Sequence, residues 1–258
     1  MKVSIITVCF NSVATLQDTI DSVALQDYPL IEHIVIDGAS TDGTLELLKR
    51  NHSKLSQWVS EPDLGMYDAM NKGIARASGE VIAFLNADDV YTNPAAISML
   101  MHALIKEDTD AVFADLVMVR ANEPKRVVRY YDSSFFHPGK FRWGWMPAHP
   151  TVFLKKSFYT AVGPYALDYR IAADYEMLIR IFYVYRASYT YLAKPLVRMR
   201  LGGASTATWQ SNWILNQEII RACKTHGIYT NWLMLLLKVP RKVWGATGQR
   251  WLGTKTGA

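Results

Sequence analysis

The sequence predicts an α/β fold: a mostly parallel sheet flanked by helices on both faces. Two patterns carry that prediction. Short β-branched apolar runs alternate with amphipathic stretches over the first 113 residues, the rhythm of strand and covering helix. The apolar runs also stop abruptly at Asp37 and at Asp88-Asp89, as strands do at the rim of an open sheet. A third observation bounds the size: 258 residues, 50% of them hydrophobic and 20% charged, suffice for one large core. No repeat of fixed period appears.

Val3 to Val8 reads as a buried first strand. Asn11 or Ser12 can cap the following helix, whose Leu16, Ile20, Val23 and Ala24 fall on one face. Tyr28-Pro29 ends that helix, His33 to Ile36 forms a second strand, and Thr44 to Arg50 a second helix. Gln57 to Ser60 is a short strand, Gly65 to Ala77 a helix, and Val81 to Leu85 a buried strand. Pro94 suits the first turn of a helix running to Lys106, and Ala111 to Phe113 resumes the sheet. Thereafter the rhythm loosens. Asp115 to Arg129 has the pattern of a hairpin, Phe135 to Pro150 that of an aromatic loop, and Thr151 to Leu154 that of a strand. Asp174 to Tyr185 is a helix, Tyr189 to Arg200 a strand, and Trp209 to Thr225 and Trp232 to Val239 are helical and amphipathic. One domain in two halves, 1–113 and 114–205, with a basic amphipathic helical tail, 206–258, is the expected organisation.

The formal net charge is +5, but residues 219 to 258 hold seven Lys or Arg and no Asp or Glu. The remainder carries 21 basic against 23 acidic side chains, so the body is not a nucleic-acid-binding surface. Cys9 and Cys223, far apart and without metal-ligand spacing, frame neither a zinc site nor a disulfide scaffold and fit a reducing cytoplasm. The first apolar run is too short for a signal peptide or a membrane span. Six consecutive apolar residues, Trp232 to Leu237, precede Lys238, Arg241, Lys242, Trp244, Arg250 and Trp251. That tail either lies peripherally on an anionic membrane or packs its apolar face on the enzyme.

Asp37, Asp88 and Asp89 stand where ligands bind in open sheets. Carboxylates brought together there repel unless a cation compensates, and Mg²⁺ or Mn²⁺ takes one or two of them and completes its shell with water and phosphate oxygens. The same residues also suit turn and capping chemistry.

Four ordered segments add to this: Val3-Ser4-Ile5-Ile6-Thr7-Val8 with Asn11; Ile36-Asp37-Gly38-Ala39-Ser40-Thr41-Asp42-Gly43-Thr44; Asp63-Leu64-Gly65-Met66-Tyr67-Asp68-Ala69-Met70-Asn71-Lys72-Gly73; and Leu85-Asn86-Ala87-Asp88-Asp89. This set resembles family 2 of the glycosyltransferases, including bacterial colanic-acid-type surface-polysaccharide enzymes. The resemblance implies a GT-A (Rossmann-like) fold and a nucleotide-sugar donor, with Thr7 and Asn11 beside the base, Asp37 on the pyrimidine ring, Asp88 at the ribose and Asp89 on the divalent metal. It places Asn71 and Lys72 at the donor as well. Met70 stands where many relatives carry Arg, so Lys72 either substitutes as a phosphate contact or is a solvated helix-surface lysine.

The second half resembles the family less closely. Asp174, in Asp174-Tyr175-Glu176-Met177-Leu178-Ile179-Arg180, matches the segment with the catalytic base, although Ala173 replaces a common Glu. The alternative is a helix cap. His149, before a strand, and Arg198 and Arg200, ahead of Gly202-Gly203-Ala204-Ser205, are candidate acceptor or diphosphate contacts, or structural residues. Trp143 and Trp145 either stack on a sugar or pack a lid.

The resemblance thus implies an inverting, metal-dependent transfer from a nucleotide-sugar donor of the UDP-linked class to a glycan or polyprenyl-diphosphate-linked acceptor, on the inner face of a bacterial membrane. Two rivals stand beside it. A sugar nucleotidyltransferase needs a Gly-rich basic loop after the first strand, and Cys9-Phe10-Asn11-Ser12 is not one. A non-catalytic nucleotide-sugar-binding module differs mainly in having no use for Asp174. The oligomeric state, the sugar and the acceptor linkage are not specified by these residues.

Overall fold

The structure is a computed structural model and describes residues 1–120, 123–201 and 209–237. Its sheet is laid down by four parallel strands: β1 (Val3–Cys9), β2 (Ile31–Asp37), β3 (Gln57–Ser60) and β4 (Val81–Phe84). Every residue of β1 and β4 is buried, because helices cover both faces. Those helices are α1 (Leu16–Ala24), α2 (Thr44–Arg50), α3 (Met66–Arg76) and, beyond a two-residue β5 (Val90–Tyr91), α4 (Ala96–Lys106). The chain continues through β6 (Ala111–Arg120), β7 (Glu123–Tyr131), β8 (Phe153–Lys155), α5 (Lys156–Val162), α6 (Ala173–Ile179) and β9 (Tyr189–Arg200). It ends, among the described residues, with α7 (Trp209–Thr225) and α8 (Trp232–Leu236).

The strand order is β3-β2-β1-β4-β8-β6-β9-β5, with β7 paired to β6. β6 runs parallel to β9, while β8, β7 and β5 are antiparallel to their neighbours, so the sheet is mostly parallel with three reversed members. One edge of β6 takes β8 at Ala111 and Val112 and β7 from Leu116 onward. This splits the sheet's second half into a curled wing. The register sets Cys9 beside Asp37 at the carboxyl edge, where the loops after β1, β2 and β4 meet.

Several boundaries move for physical reasons. Neither Asn11 nor Ser12 caps α1 through its side chain: Asn11 takes a left-handed backbone (φ 50°), and its side-chain oxygen accepts from Thr41 N–H at 2.9 Å. The Ala111 strand runs on to Arg120 because β9 pairs along its length. Thr151 belongs to a 3₁₀ turn, His149–Thr151, which Pro150 favours, and the strand begins after it. Asp174 does not occupy the N-cap of α6, which is Ala172. Beyond Ile179 that helix loosens into a π turn, Arg180–Val184.

Residues 209–225 are no appendage. Ile219, Ala222 and Cys223 of α7 are buried in the main core with Tyr175 and Met177 of α6, and Ile228 and Leu235 join them. Gly202 to Ser205 and the basic residues from Lys238 onward lie outside the described residues.

Candidate functional site: a cleft lined by Asp88, Asp89 and Asp174

A cleft of roughly 1030 Å³ opens over the carboxyl edge of β1 and β4. Its lining includes Phe10, Asn11, Asp63, Asp88, Asp89, His149, Asp174 and Arg200, so the donor-side and base-side candidates share one space. Arg198 is not in the lining: it pairs with Val117 of β6, whereas its neighbour Met199 faces the cleft.

At one end, two loops clasp each other. Asn11 N–H donates to Ser40 Oγ at 2.7 Å, Ser12 N–H to Thr44 Oγ1 at 2.9 Å, and Val13 N–H to Asp42 Oδ2 at 3.0 Å. Asp37 organises this clasp from below. It is fully buried, accepting from the Ser40 hydroxyl, from Ser60 Oγ at 2.6 Å and from Ser40 N–H at 3.1 Å, and it does not line the cleft. Thr7 is buried likewise, 3.0 Å from His33 Nε2, and burial pulls the His33 pKa down to about 3.

Lining the cleft at this end are the exposed Phe10 and the half-buried Asp63, neither given a role from sequence. Phe10 is 64% exposed. A Cβ on Gly38 would meet Asp63 Oδ2 at 2.5 Å, so the missing side chain at Gly38 lets that carboxylate approach. Asp63 opens one family segment and Phe10 lies within another, but an exposed aromatic has no period to betray it and a lone acid acquires a role only from what it faces.

Asn71 and Lys72 sit on α3 facing away. Asn71 Nδ2 donates to Tyr165 O at 3.0 Å and its Oδ1 accepts from Tyr165 N–H at 2.8 Å, tying α3 to the loop before α6. Lys72 Nζ donates to Pro62 O at 2.8 Å and pairs with Glu61 at 3.1 Å and Asp68 at 3.4 Å. Neither lines the cleft.

The loop after β4 carries the acidic pair. Asp89 is fully buried and its Oδ1 has no hydrogen-bond partner; Asn86 Nδ2 stands 3.5 Å from Oδ2. Its main chain is fixed by Thr19 Oγ1, which donates to Asp89 O at 2.8 Å. Burial and then the Asp88 charge push the Asp89 carboxyl well above the usual range. Asp88 is also raised by burial, against the lowering charge of Arg200. Arg200 in turn pairs with Asp18 of α1. An orphaned buried carboxylate oxygen beside a second carboxylate suits a hard divalent cation. Among the described residues no group of three or more His, Cys, Asp or Glu converges, so most of such an ion's shell would come from phosphate and water.

Asp174, also in the lining, lies in the first turn of α6, accepting from Tyr175 N–H at 2.7 Å. Burial raises its pKa; the nearby His149 and the Tyr175 N–H work the other way. His149 is buried, stacked on Phe84 with ring centroids 5.6 Å apart, and 3.1 Å from Tyr165 Oη. Its own pKa is lowered by burial, which keeps it neutral at neutral pH. Glu218 of α7 was not foreseen. Its carboxylate accepts from the N–H groups of Arg170, Ile171 and Ala172 at 2.7, 2.9 and 2.8 Å, fixing the segment that leads into the Asp174 helix from a distant part of the chain.

A mostly parallel sheet with an acidic pair after its fourth strand, and a further carboxylate lining the same cleft, is a GT-A fold. The chain belongs to glycosyltransferase family 2: that family's sequence model matches residues 4–158. An uncharacterized glycosyltransferase of Mycobacterium tuberculosis is 38% identical over 181 residues, covering 69% of this chain and 68% of the relative. A PGL/p-HBAD biosynthesis glycosyltransferase of Mycobacterium bovis is 30% identical over 194 residues, covering 69% of each. Among solved structures, residues 1–349 of S. aureus TarS in complex with UDP superpose with a TM-score of 0.68 at 19% identity, over 88% of this chain and 65% of that one. The mannosyltransferase PcManGT of Pyrobaculum calidifontis, in complex with GDP-Man and Mn²⁺, gives 0.60 at 17% identity, over 94% and 80%. The chain spans only 40% of the longer TarS chain.

Proposed function

We propose that the protein transfers a sugar from a UDP-linked donor, with inversion, to a hydroxyl of a glycan or polyprenyl-diphosphate-linked acceptor in surface-polysaccharide synthesis. The observation that supports this reading best is that Asp174 lines the same cleft as Asp88 and Asp89. The neighbours support the donor class: TarS is described with UDP and with UDP-GlcNAc, PcManGT with GDP-Man and Mn²⁺. The acceptor class is supported by relatives named for PGL/p-HBAD and, putatively, teichuronic acid biosynthesis.

In this reading the base lies between the Phe10 ring and the loop clasped by Asn11 and Ser40, with Asp63 accepting at its edge. Thr7 and Asp37 serve that end from beneath by holding β1 and the loop in place, and Asn71 and Lys72 by bracing α3. Asp88 lies at the ribose and Asp89, with Asp88 beside it, holds the divalent ion. Bound there, the ion neutralises charge on the departing diphosphate. Arg200 adds positive charge on the same side. The Asp174 carboxylate removes the proton of the attacking acceptor hydroxyl, and attack from the face opposite the diphosphate inverts the anomeric carbon. Its raised pKa makes it a stronger base than an ordinary carboxylate.

Membrane contact belongs to the same reading. Leu233, Leu236 and Leu237 of the α8 region are exposed, and the basic segment follows at once. No helix among the described residues is long and apolar enough to cross a membrane, so the contact proposed is peripheral, on the cytoplasmic face.

A thermal-shift screen of nucleotide-sugars with and without Mn²⁺ tests the donor class: a UDP-sugar should raise the melting temperature most, and more with Mn²⁺. Turnover of that donor should then vanish in Asp89→Ala and in Asp174→Asn. Unchanged turnover in either variant would remove the role given to that residue.

A further inference from the structure

Arg129 of β7 sits opposite Met118 of β6, which sits opposite Met199 of β9, and all three line the cleft. The adjacent pair on the same wing, Tyr131 and Leu116, lines it too. The guanidinium carbon lies 5.8 Å from the centroid of the Tyr131 ring. Its Nε is buried with no hydrogen-bond partner, and no ion pair joins Arg129 to any carboxylate among the described residues. The undescribed segments, 121–122, 202–208 and 238–258, contain no Asp or Glu that could supply one.

The contrast with the other interior arginines is informative. Arg180 holds Glu176 by its Nε at 2.9 Å and caps Val162 O at 2.6 Å and Pro164 O at 2.8 Å; Arg200 has Asp18. A desolvated guanidinium left without an oxygen acceptor is unfavourable, and a cleft-facing one is relieved by a ligand oxyanion, which its planar fork can take in two parallel hydrogen bonds. Burial also draws the Arg129 pKa down, in keeping with an environment prepared for a counter-charge. The strip beside it is apolar: Leu116, Met118 and Met199.

We propose that Arg129 binds an oxyanion of the acceptor, and that the acceptor's apolar portion lies along Leu116, Met118 and Met199. The site lies on the β6–β7–β9 wing, whereas the donor's phosphates are assigned to the acidic pair after β4. An anionic head joined to an apolar chain, as in an alkyl phosphate, matches the strip; a sugar carboxylate offers the same oxyanion. This inference rests on the glycosyl-transfer reading and names the acceptor chemistry within it.

The test uses the full chain saturated with UDP and Mn²⁺, titrated calorimetrically with octyl phosphate, octyl glucuronide and octyl glucoside below their micelle concentrations. The wild type should bind an anionic probe more tightly than the neutral glucoside. Arg129→Gln should weaken that probe by roughly ten- to a hundredfold, the range for losing a charged hydrogen bond, while Arg129→Lys keeps part of it. UDP affinity should stay at the wild-type value in both variants, and the melting temperature of Arg129→Gln should not fall, since the substitution removes a buried unpaired donor. Preference for the phosphate identifies a lipid-phosphate-type acceptor, and preference for the glucuronide an acidic sugar; either supports the site. Equal binding of all three probes, anion binding unchanged in Arg129→Gln, or a loss of UDP affinity in that variant overturns it. If the wild type itself fails to bind UDP, the transferase reading fails instead.

Discussion

Asp89 shows how a single side chain can serve function against stability. Its folded-state pKa is raised above the unfolded value, so it takes up protons on folding. Its effect on stability is therefore neutral below the unfolded carboxylate pKa and becomes unfavourable as the pH rises toward the folded one. Asp89→Asn should raise the melting temperature of metal-free protein at pH 7, by the equivalent of about 1–3 kcal/mol for relieving a buried unsatisfied charge, while Mn²⁺-dependent tightening of UDP binding disappears. A lower melting temperature would show that the carboxylate is a structural acceptor. Asp174 makes a kinetic counterpart. The base role proposed for it requires the ionised form, and burial raises its pKa, so the acid limb of kcat/KM should fall at a pH above the ordinary carboxylate range. Asp174→Asn should reduce kcat by about 10²–10⁴-fold with UDP affinity kept. Asp88, Asp89 and Asp174 were legible because each ends or opens an apolar run within a family segment. Phe10, Asp63 and Arg129 were not: an isolated aromatic, acid or arginine acquires meaning only from what it faces.

At the scale of elements, two packing contacts hold the walls of the cleft. α3 lies so close to β1 that a Cβ on Gly73 would stand 2.4 Å from Ile6 Cγ2, and Ile6 is fully buried. Gly73→Ala should lower stability by about 1–3 kcal/mol, the usual result of overpacking, read from denaturant unfolding. An unchanged midpoint would mean that the helix can lift freely from the sheet. α6 has no side-chain N-cap of its own, and Glu218 of α7 instead fixes the segment leading into it by accepting from three successive N–H groups, Arg170 to Ala172. Glu218→Ala should destabilise by about 1–3 kcal/mol for three uncovered N–H groups and reduce kcat more than it changes donor affinity, because the helix it steadies bears Asp174. Equal loss of donor affinity would contradict that division. The periodicity located α3 and α7 well, but α5 and β5 were missed, being seven and two residues long and too short for a repeating pattern.

For the whole molecule, the question is which part of the C-terminal region belongs to the enzyme. Cutting the chain after Ser205 would remove α7, hence the Glu218 contacts and part of the core. A chain ending at Leu237 keeps both. It should melt as the full chain does yet fail to float with anionic liposomes, whereas the full chain floats at low salt and is released as salt rises. Flotation of the shortened chain would place the contact on the exposed leucines of α8 alone.

The sequence by itself determined the alternating α/β plan, the strand ends bearing Asp37, Asp88 and Asp89, and the family, since local periodicity and ordered motifs survive without any contact being known. The tertiary structure decided which of those residues line the cleft. Asp37 and Thr7 are turned inward because Ser40, Ser60 and His33 satisfy them, and Asn71 because the Tyr165 backbone does. Arg129 lines the cleft, and its buried Nε has no acceptor among the described residues. Hydrogen-bond satisfaction between distant segments is set by how the chain packs, and no spacing along it records the result.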